Sequence, residues 1–439
     1  MLSLRYLSPS CMTLPLITVL TYSRVQVIAT LFCAFIVIGL FTSSFFRILP
    51  SIGIAGLAVT AAMHSIAHRK IGQKAAWNVY LSLTAVFMLH VLSGLNTQAG
   101  NGSDYWRDIL LQSPFLLLPV SFWLLPPIRA QYLRLLWLLF FILVVGFSLG
   151  STINYLLHVE AINEVYLHSQ VMPTEPDHIR FSLMISLAIV VGIFMLEHGK
   201  IQRRSLCHSL LVAGTIFLAL YQHLLAVRSG LITFYAIGLV AILWLVFRAK
   251  RYQVAVKLSF VLVLLPVLSF ASFPTFRNRF HNTQEDISQV DQIRSADNYS
   301  LTGRVYSYKV AMLLVEEHPW LGVGNVDMEQ ELAKKYKSSF PTIKSSSYIK
   351  PHNQFIYFLV AFGVIGVIIF TSCFYYPLVR TGAQNTPLLI AHYCIVTLSF
   401  LAEYTLETQI GLTFSLIFLL LSLAGAISRT VEDKGWRPA

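Results

Sequence analysis

Residues 350–374 read KPHNQFIYFLVAFGVIGVIIFTSCF, a junction between two very different kinds of sequence. Before it lies the polar segment Ser272–Lys350, which carries 10 Lys/Arg and 9 Asp/Glu residues. After it, Gln354–Phe374 is an apolar run long enough to cross a bilayer as a helix. The polar segment is the only region longer than about twenty residues that contains no apolar run of membrane length. The junction therefore predicts a membrane frame that presents one large polar segment, with His352 at the boundary.

The composition of the whole chain is that of a membrane protein. Of its 439 residues, 56% are hydrophobic and 12% are charged, whereas soluble chains are about 25% charged. Repeated apolar runs predict an all-α integral membrane protein with about 12 transmembrane helices and one large, partly helical periplasmic loop. The predicted spans are 25–46, 48–67, 76–94, 108–126, 135–157, 178–196, 207–226, 229–247, 254–272, 352–374, 387–406 and 409–428. Residues 1–271 would hold about nine spans, 272–351 the loop and 352–439 about three spans.

The net charge of +12 is explained by topology. Alternating the spans from an inside amino terminus puts eighteen Lys/Arg residues on the cytoplasmic side and four in the short outer loops. Such an excess of Lys and Arg in cytoplasmic loops sets the orientation of membrane proteins. The surplus therefore indicates contact with membrane lipids and no nucleic-acid partner, and the polar segment is expected outside the cytoplasm.

Three arginines are expected at one level of the membrane, close to its outer surface. Arg180 follows Asp177, a predicted helix cap, and Arg228 lies in a very short turn between two spans. Arg304 lies in a predicted helix, Thr302–Glu317, with Thr302 as its cap. The planar guanidinium binds phosphate oxygens in pairs, so three of them suit a diphosphate. A single interfacial arginine is also commonly a membrane anchor.

The rest of the polar segment predicts two further features. Met328–Lys337 is a second short amphipathic helix, because its apolar residues recur at helical spacing. Asn282–Asn298 is rich in Ser, Gln, Asp and Glu and is expected to be a mobile loop.

His352 is the candidate general base, since the ordinary pKa of histidine lies near neutrality. Asn353 or a nearby carboxylate is expected to fix its tautomer; alternatively, His352 only hydrogen-bonds the loop at a helix entry. Glu403 and Glu407, four residues apart, are expected on one helix face as counter-ions, an acceptor-binding pair or a proton relay. The outer side has no Asp-x-Asp pair and the chain no glycine-rich phosphate loop, so neither a metal nor another cofactor is implied.

Four motifs carry a resemblance to a known family. They are Arg228-Ser229-Gly230, Gly303-Arg304, HPWLGVG at 318–324, and PHNQ at 351–354 running into FGVIG at 362–366. In this order they resemble the O-antigen ligase and polymerase superfamily of bacterial envelope glycosyltransferases. The resemblance implies an inverting, metal-independent enzyme in which His352 is the base and Arg228 and Arg304, joined by Arg180, hold the donor diphosphate. The arguments from the residues themselves add Asn353, Glu403 and Glu407 as supporting residues.

The resemblance also implies the partners and the location. The donor would be an undecaprenyl-diphosphate-linked glycan, and the site would face the periplasm from a multi-pass protein of the bacterial inner membrane. The favoured acceptor is the lipid A–core, as in a ligase; a lipid-linked repeat, as in a polymerase, or a protein Ser/Thr, as in an O-oligosaccharyltransferase, remains open. A transporter or flippase is the alternative from another class. It is disfavoured because the chain lacks matched halves and places its charges at the ends of spans.

Overall fold

The computed structural model describes residues 21–69, 72–73, 77–199, 202–203, 205–381 and 387–433. The predicted segments 1–271 and 352–439 thus include residues, 1–20 and 434–439 among them, that lie outside the described part of the chain. All regular structure within the described ranges is helical. The helices are α1 Tyr22–Gly39, α2 Leu49–His68, α3 Trp77–Ser93, α4 Gly102–Gln112, α5 Pro114–Leu124, α6 Ala130–Leu157, α7 Val159–Leu167, α8 His178–His198, α9 Leu206–Leu225, α10 Arg228–Leu243, α11 Tyr252–Ser272, α12 Pro274–Ser288, α13 Ser300–Glu317, α14 Met328–Ser339, α15 Gln354–Arg380, α16 Pro387–Ala402 and α17 Gln409–Asp433.

Ten of the described helices are long and apolar enough to cross a membrane, which confirms the predicted all-α membrane class. They are α1, α2, α3, α6, α8, α9, α10, α11, α15 and α17. The other two predicted spans are built differently. The span at 108–126 is divided between α4 and α5, because Pro114 begins a new helix and cannot donate a hydrogen bond to the preceding turn. The span at 387–406 is the shorter helix α16, which already ends at Ala402.

Aromatic packing joins the two helices that border the candidate site. Phe400 of α16 lies 6.0 Å from Phe355, 5.9 Å from Phe370 and 5.4 Å from Phe374, ring centre to ring centre, all on α15. Van der Waals packing of this kind holds helices together in a bilayer, where lipid is as apolar as the side chains. Since Phe355 follows His352 by three residues and Phe400 precedes Glu403 by three, the cluster holds both polar residues in register.

Helix α15 is broken at Gly363, where φ is +65°. The free backbone groups are taken up by the 318–324 motif. Val323 N donates to the carbonyl of Val360 at 2.9 Å, and Val364 N donates to the carbonyl of Pro319 at 2.9 Å. A Cβ at Gly363 would collide with the backbone of Trp320. Two motifs far apart in sequence thus form one joint, which satisfies the backbone groups that a broken helix exposes inside a membrane protein.

The polar segment contains three helices, and two predictions about it are wrong. The expected loop Asn282–Asn298 is helical up to Ser288, where α12 ends. In α12, polar residues recur at positions i, i+4, i+7 and i+11, which places them on one helix face. This polar face is turned toward the protein. Asn282 Nδ2 donates to the carbonyl of Tyr166 at 2.6 Å. Thr302 is not a helix cap, since α13 begins at Ser300 and Thr302 is fully buried inside it.

Candidate active site

A buried carboxylate joins the candidate base to one of the predicted arginines. Glu403 Oε2 lies 2.8 Å from His352 Nδ1, and Glu403 Oε1 accepts a hydrogen bond from Arg304 Nη2 at 2.8 Å. The Glu403 side chain is 7% exposed, whereas His352 is 23% and Arg304 27% exposed. The carboxylate therefore lies at the buried end of the site, and the imidazole and the guanidinium extend from it toward the surface.

This pairing determines which imidazole nitrogen is available. A neutral histidine that donates Nδ1–H to a carboxylate keeps Nε2 as its proton acceptor. The backbone of the histidine is held as well, because the Tyr308 hydroxyl donates to the His352 carbonyl at 2.8 Å. Of the two groups expected to orient the imidazole, the carboxylate does so. Asn353 instead caps α15, and its Oδ1 accepts from Phe355 N and Ile356 N at 2.9 and 3.1 Å.

The expectation that Glu403 and Glu407 share one helix face is wrong. Helix α16 ends at Ala402, whose carbonyl accepts from Arg304 Nη1 at 3.1 Å, and a separate short turn forms over Thr405–Glu407. Glu407 is directed into the protein, where it accepts from Gln354 Nε2 at 3.2 Å and from Gln112 Nε2 at 3.3 Å. Burial raises the pKa of Glu407 to about 7.

Glu407 belongs to a polar network that the sequence analysis did not find. Beside it, His90 Nδ1 lies 3.0 Å from Asp108 Oδ2, with the histidine fully buried. Asp108 Oδ1 also accepts from Asn325 Nδ2 at 2.9 Å. The two glutamates therefore serve different networks, one at the candidate base and one in the interior.

Arg228 has a buried partner and spare donors. Its Nη1 lies 2.7 Å from Asp286 Oδ2, and the Asp286 side chain is only 4% exposed. Its Nε and Nη2 are buried and have no hydrogen-bond partner among the described residues. Buried guanidinium donors are costly to leave unpaired, so this arrangement suits an anion that brings its own acceptor oxygens.

A fourth arginine, Arg279, lies in the same neighbourhood. Burial first, and then the positive charges of Arg228 and Arg304, lower its pKa to about 10. Its Nη1 donates to the carbonyl of Ser169 at 2.9 Å, and its Nε is buried without a partner. Arg279 was not predicted, because no helix was expected between Ser272 and Asn282. The polar stripe of α12, in which Arg279 lies between Thr275 and Asn282, was the available signal.

Arg180 lies at the edge of this group. As predicted, Asp177 caps α8, accepting from Ile179 N at 3.1 Å, and it also accepts from Arg180 Nη1 at 3.0 Å. Arg180 Nε is buried and unpaired among the described residues. His178 is within electrostatic range of Arg180, Arg279 and Glu403, so the arginines and the His352–Glu403 pair form one neighbourhood.

The middle part of the chain is similar to a known family. A family model described as O-antigen ligase matches residues 210–371. A comparison with curated proteins gave no match. The matched segment runs from α9 into α15 and so contains Arg228, Arg279, Arg304 and His352, whereas Arg180 and Glu403 reach the site from outside it. Residues 210–371 are thus similar to an O-antigen ligase, and the ten membrane-length helices among the described residues are those of a multi-pass membrane protein.

Proposed function

We propose that the protein transfers a glycan from undecaprenyl diphosphate to an acceptor hydroxyl at the periplasmic face of the bacterial inner membrane, with the lipid A–core as the favoured acceptor. The observation that carries the proposal is the His352–Glu403–Arg304 arrangement beside further arginines with unpaired donors. The family match supports a glycosyltransferase of the O-antigen ligase or polymerase type.

The arginines would hold the diphosphate of the donor. Four guanidinium groups gather here, at Arg180, Arg228, Arg279 and Arg304, and three carboxylates offset them. Like charges in a partly desolvated site repel one another, so a doubly charged anion would stabilise the group. The unpaired nitrogens of three of these arginines are available to its oxygens.

His352 would activate the acceptor. Its Nε2 takes the proton of the acceptor hydroxyl as the oxygen attacks the anomeric carbon of the donor sugar. The bond from that carbon to the diphosphate oxygen breaks, and undecaprenyl diphosphate leaves with the electron pair. Glu403 stabilises the imidazolium that forms, as the carboxylate of a catalytic triad does. The arginines stabilise the charge that develops on the leaving group. Attack from the face opposite the leaving group inverts the anomeric configuration.

An open cavity of about 550 Å³ lies along α13. Val305, Tyr308, Met312 and Phe340 are among its lining residues, and the Tyr308 hydroxyl also holds the His352 carbonyl. We assign the approach of the acceptor to this side, because Tyr308 both lines the cavity and contacts His352. No metal takes part in this scheme, because the arginines supply the positive charge that it requires.

The test is glycan transfer by the purified protein in lipid nanodiscs. Wild-type protein should release undecaprenyl diphosphate and extend the acceptor, and His352→Ala should lose transfer while still binding the donor. Full transfer by His352→Ala would refute the proposal that His352 is the general base. The acceptor is settled in cells that lack the gene. Lost polymer with accumulated lipid-linked chains indicates a ligase, and a single repeat on the core indicates a polymerase. Unchanged lipopolysaccharide favours a protein or capsule acceptor.

A further inference from the structure

One helical hairpin stands apart from the bundle. Among the ten membrane-length helices of the described chain, the spans Arg228–Arg248 and Tyr252–Ser272 are 17% and 11% buried. The other eight are 39–78% buried. Helix α10 packs on α8 and α16 along one side, and α11 packs mainly on α10. The hairpin therefore offers a long apolar surface to the bilayer.

The exposed surface of α11 is a continuous stripe. Its most exposed residues are Val256, Phe260, Val263 and Val267, which are 68%, 66%, 68% and 62% exposed. Their spacing of four, three and four residues places them on one helix face. One step further, Phe270 continues the stripe toward the polar segment. From Val256 to Phe270 the stripe is about 21 Å long at the helical rise of about 1.5 Å per residue.

The stripe leads to the arginines. The Phe270 ring packs edge-on against the ring of Phe280, with 5.8 Å between centres. Phe280 is the neighbour of Arg279 on α12, which follows α11 after one residue. At the same end of the hairpin, Arg228 is the first residue of α10. Both helices of the hairpin thus end beside a guanidinium group with unpaired buried nitrogens.

We propose that the α11 stripe binds the polyprenyl chain of the donor, with its diphosphate at Arg228 and Arg279. This inference rests on the proposed function. The charge complementarity at one end and the apolar track below it match the two parts of a polyprenyl diphosphate. A second protein copy fits less well, because helix pairs in membranes associate through Gly, Ala, Ser and Thr, and the stripe consists of Val and Phe.

The experiment compares two donors and two matched variants. Val263→Asn places a polar group in the stripe, and Val59→Asn does the same on α2, where Val59 is 58% exposed and α2 packs on α1 and α5. The donors carry the same glycan on undecaprenyl diphosphate or on dimethylallyl diphosphate, whose single isoprene unit is too short to reach Val263. We expect Val263→Asn to raise the KM for the undecaprenyl donor about five- to tenfold, from the cost of a polar group against hydrocarbon, and to leave the dimethylallyl donor unchanged. Val59→Asn should change neither KM.

A photo-crosslinker at position 263 gives a second measurement that does not depend on transfer. It should label added undecaprenyl diphosphate, and excess dimethylallyl diphosphate should displace the label poorly. Equal effects of Val263→Asn on both donors, equal effects of both variants, or crosslinks to a second copy of the chain or only to bulk phospholipid would overturn the inference. If wild-type protein transfers no glycan but labels undecaprenyl diphosphate at position 263, the result supports the binding site and refutes the proposed function.

Discussion

Replacing Glu403 by glutamine tests the central arrangement of the site. The substitution keeps the shape of the side chain and removes the charge that faces both His352 Nδ1 and Arg304 Nη2 at 2.8 Å. An amide has one oxygen and one NH₂ group, so a donor then faces either the imidazole N–H or the guanidinium. A hydrogen bond to a charged group contributes about 1.5–3 kcal/mol. Its loss from the transition state would lower kcat about 10- to 150-fold.

The double variant with His352→Ala separates the two roles of the carboxylate. If Glu403 stabilises the imidazolium, Glu403→Gln lowers kcat, and it adds little to the loss caused by His352→Ala in the double variant. If Glu403 only holds Arg304 in place, its loss and that of His352 act on different groups, so the two losses add in the double variant.

Purified variants in nanodiscs should be compared by steady-state transfer and by thermal unfolding. Glu407→Gln is the matched control, because Glu407 bonds to Gln354 and Gln112 and lies in the other network. An unchanged kcat in Glu403→Gln, together with an inactive His352→Ala, would refute the role assigned to the carboxylate.

Four further outcomes are expected. Arg228→Lys should lower kcat/KM about ten- to hundredfold in transfer assays, since an ammonium group cannot bind two phosphate oxygens in the plane of a fork; wild-type kinetics would contradict this. Gly363→Ala should lower the melting temperature and the yield of folded protein, because its Cβ meets the Trp320 backbone at a positive φ, whereas Gly146→Ala, with open space at its Cβ, should not. Burial raises the pKa of Glu407 from 4.5 to about 7, so its contribution to stability is present below pH 4.5 and is lost as the pH rises through 7. Glu407→Gln should therefore flatten the plot of melting temperature against pH in this range. An unchanged plot would contradict the raised pKa. Transfer should persist in EDTA, and inhibition that Mg²⁺ reverses would contradict the metal-independent scheme.

Local sequence was sufficient for the membrane class and for most of the helices. Apolar runs of bilayer length and helical periodicity are properties of neighbouring residues, so they identify α8, α10 and α15 without any knowledge of packing. The same holds for Asp177 as a helix cap, because the cap and its helix are adjacent. Where local signals conflict, the prediction was wrong. The polar stripe of α12 resembled a loop because its polar face is turned inward to meet buried carbonyl groups.

The sequence predicted candidate site residues but not the contacts that join them. Motif order predicted His352, Arg228 and Arg304 as site residues, because residue types and their spacing can be read directly from the sequence. Which carboxylate faces the base did not follow from spacing, since Glu403 lies 51 residues from His352 and 99 from Arg304. Arg279 and Asp286 enter the site only through the packing of α12 against the bundle. Contacts between residues so far apart in sequence depend on how whole helices pack, and a hydropathy pattern contains no information about that packing.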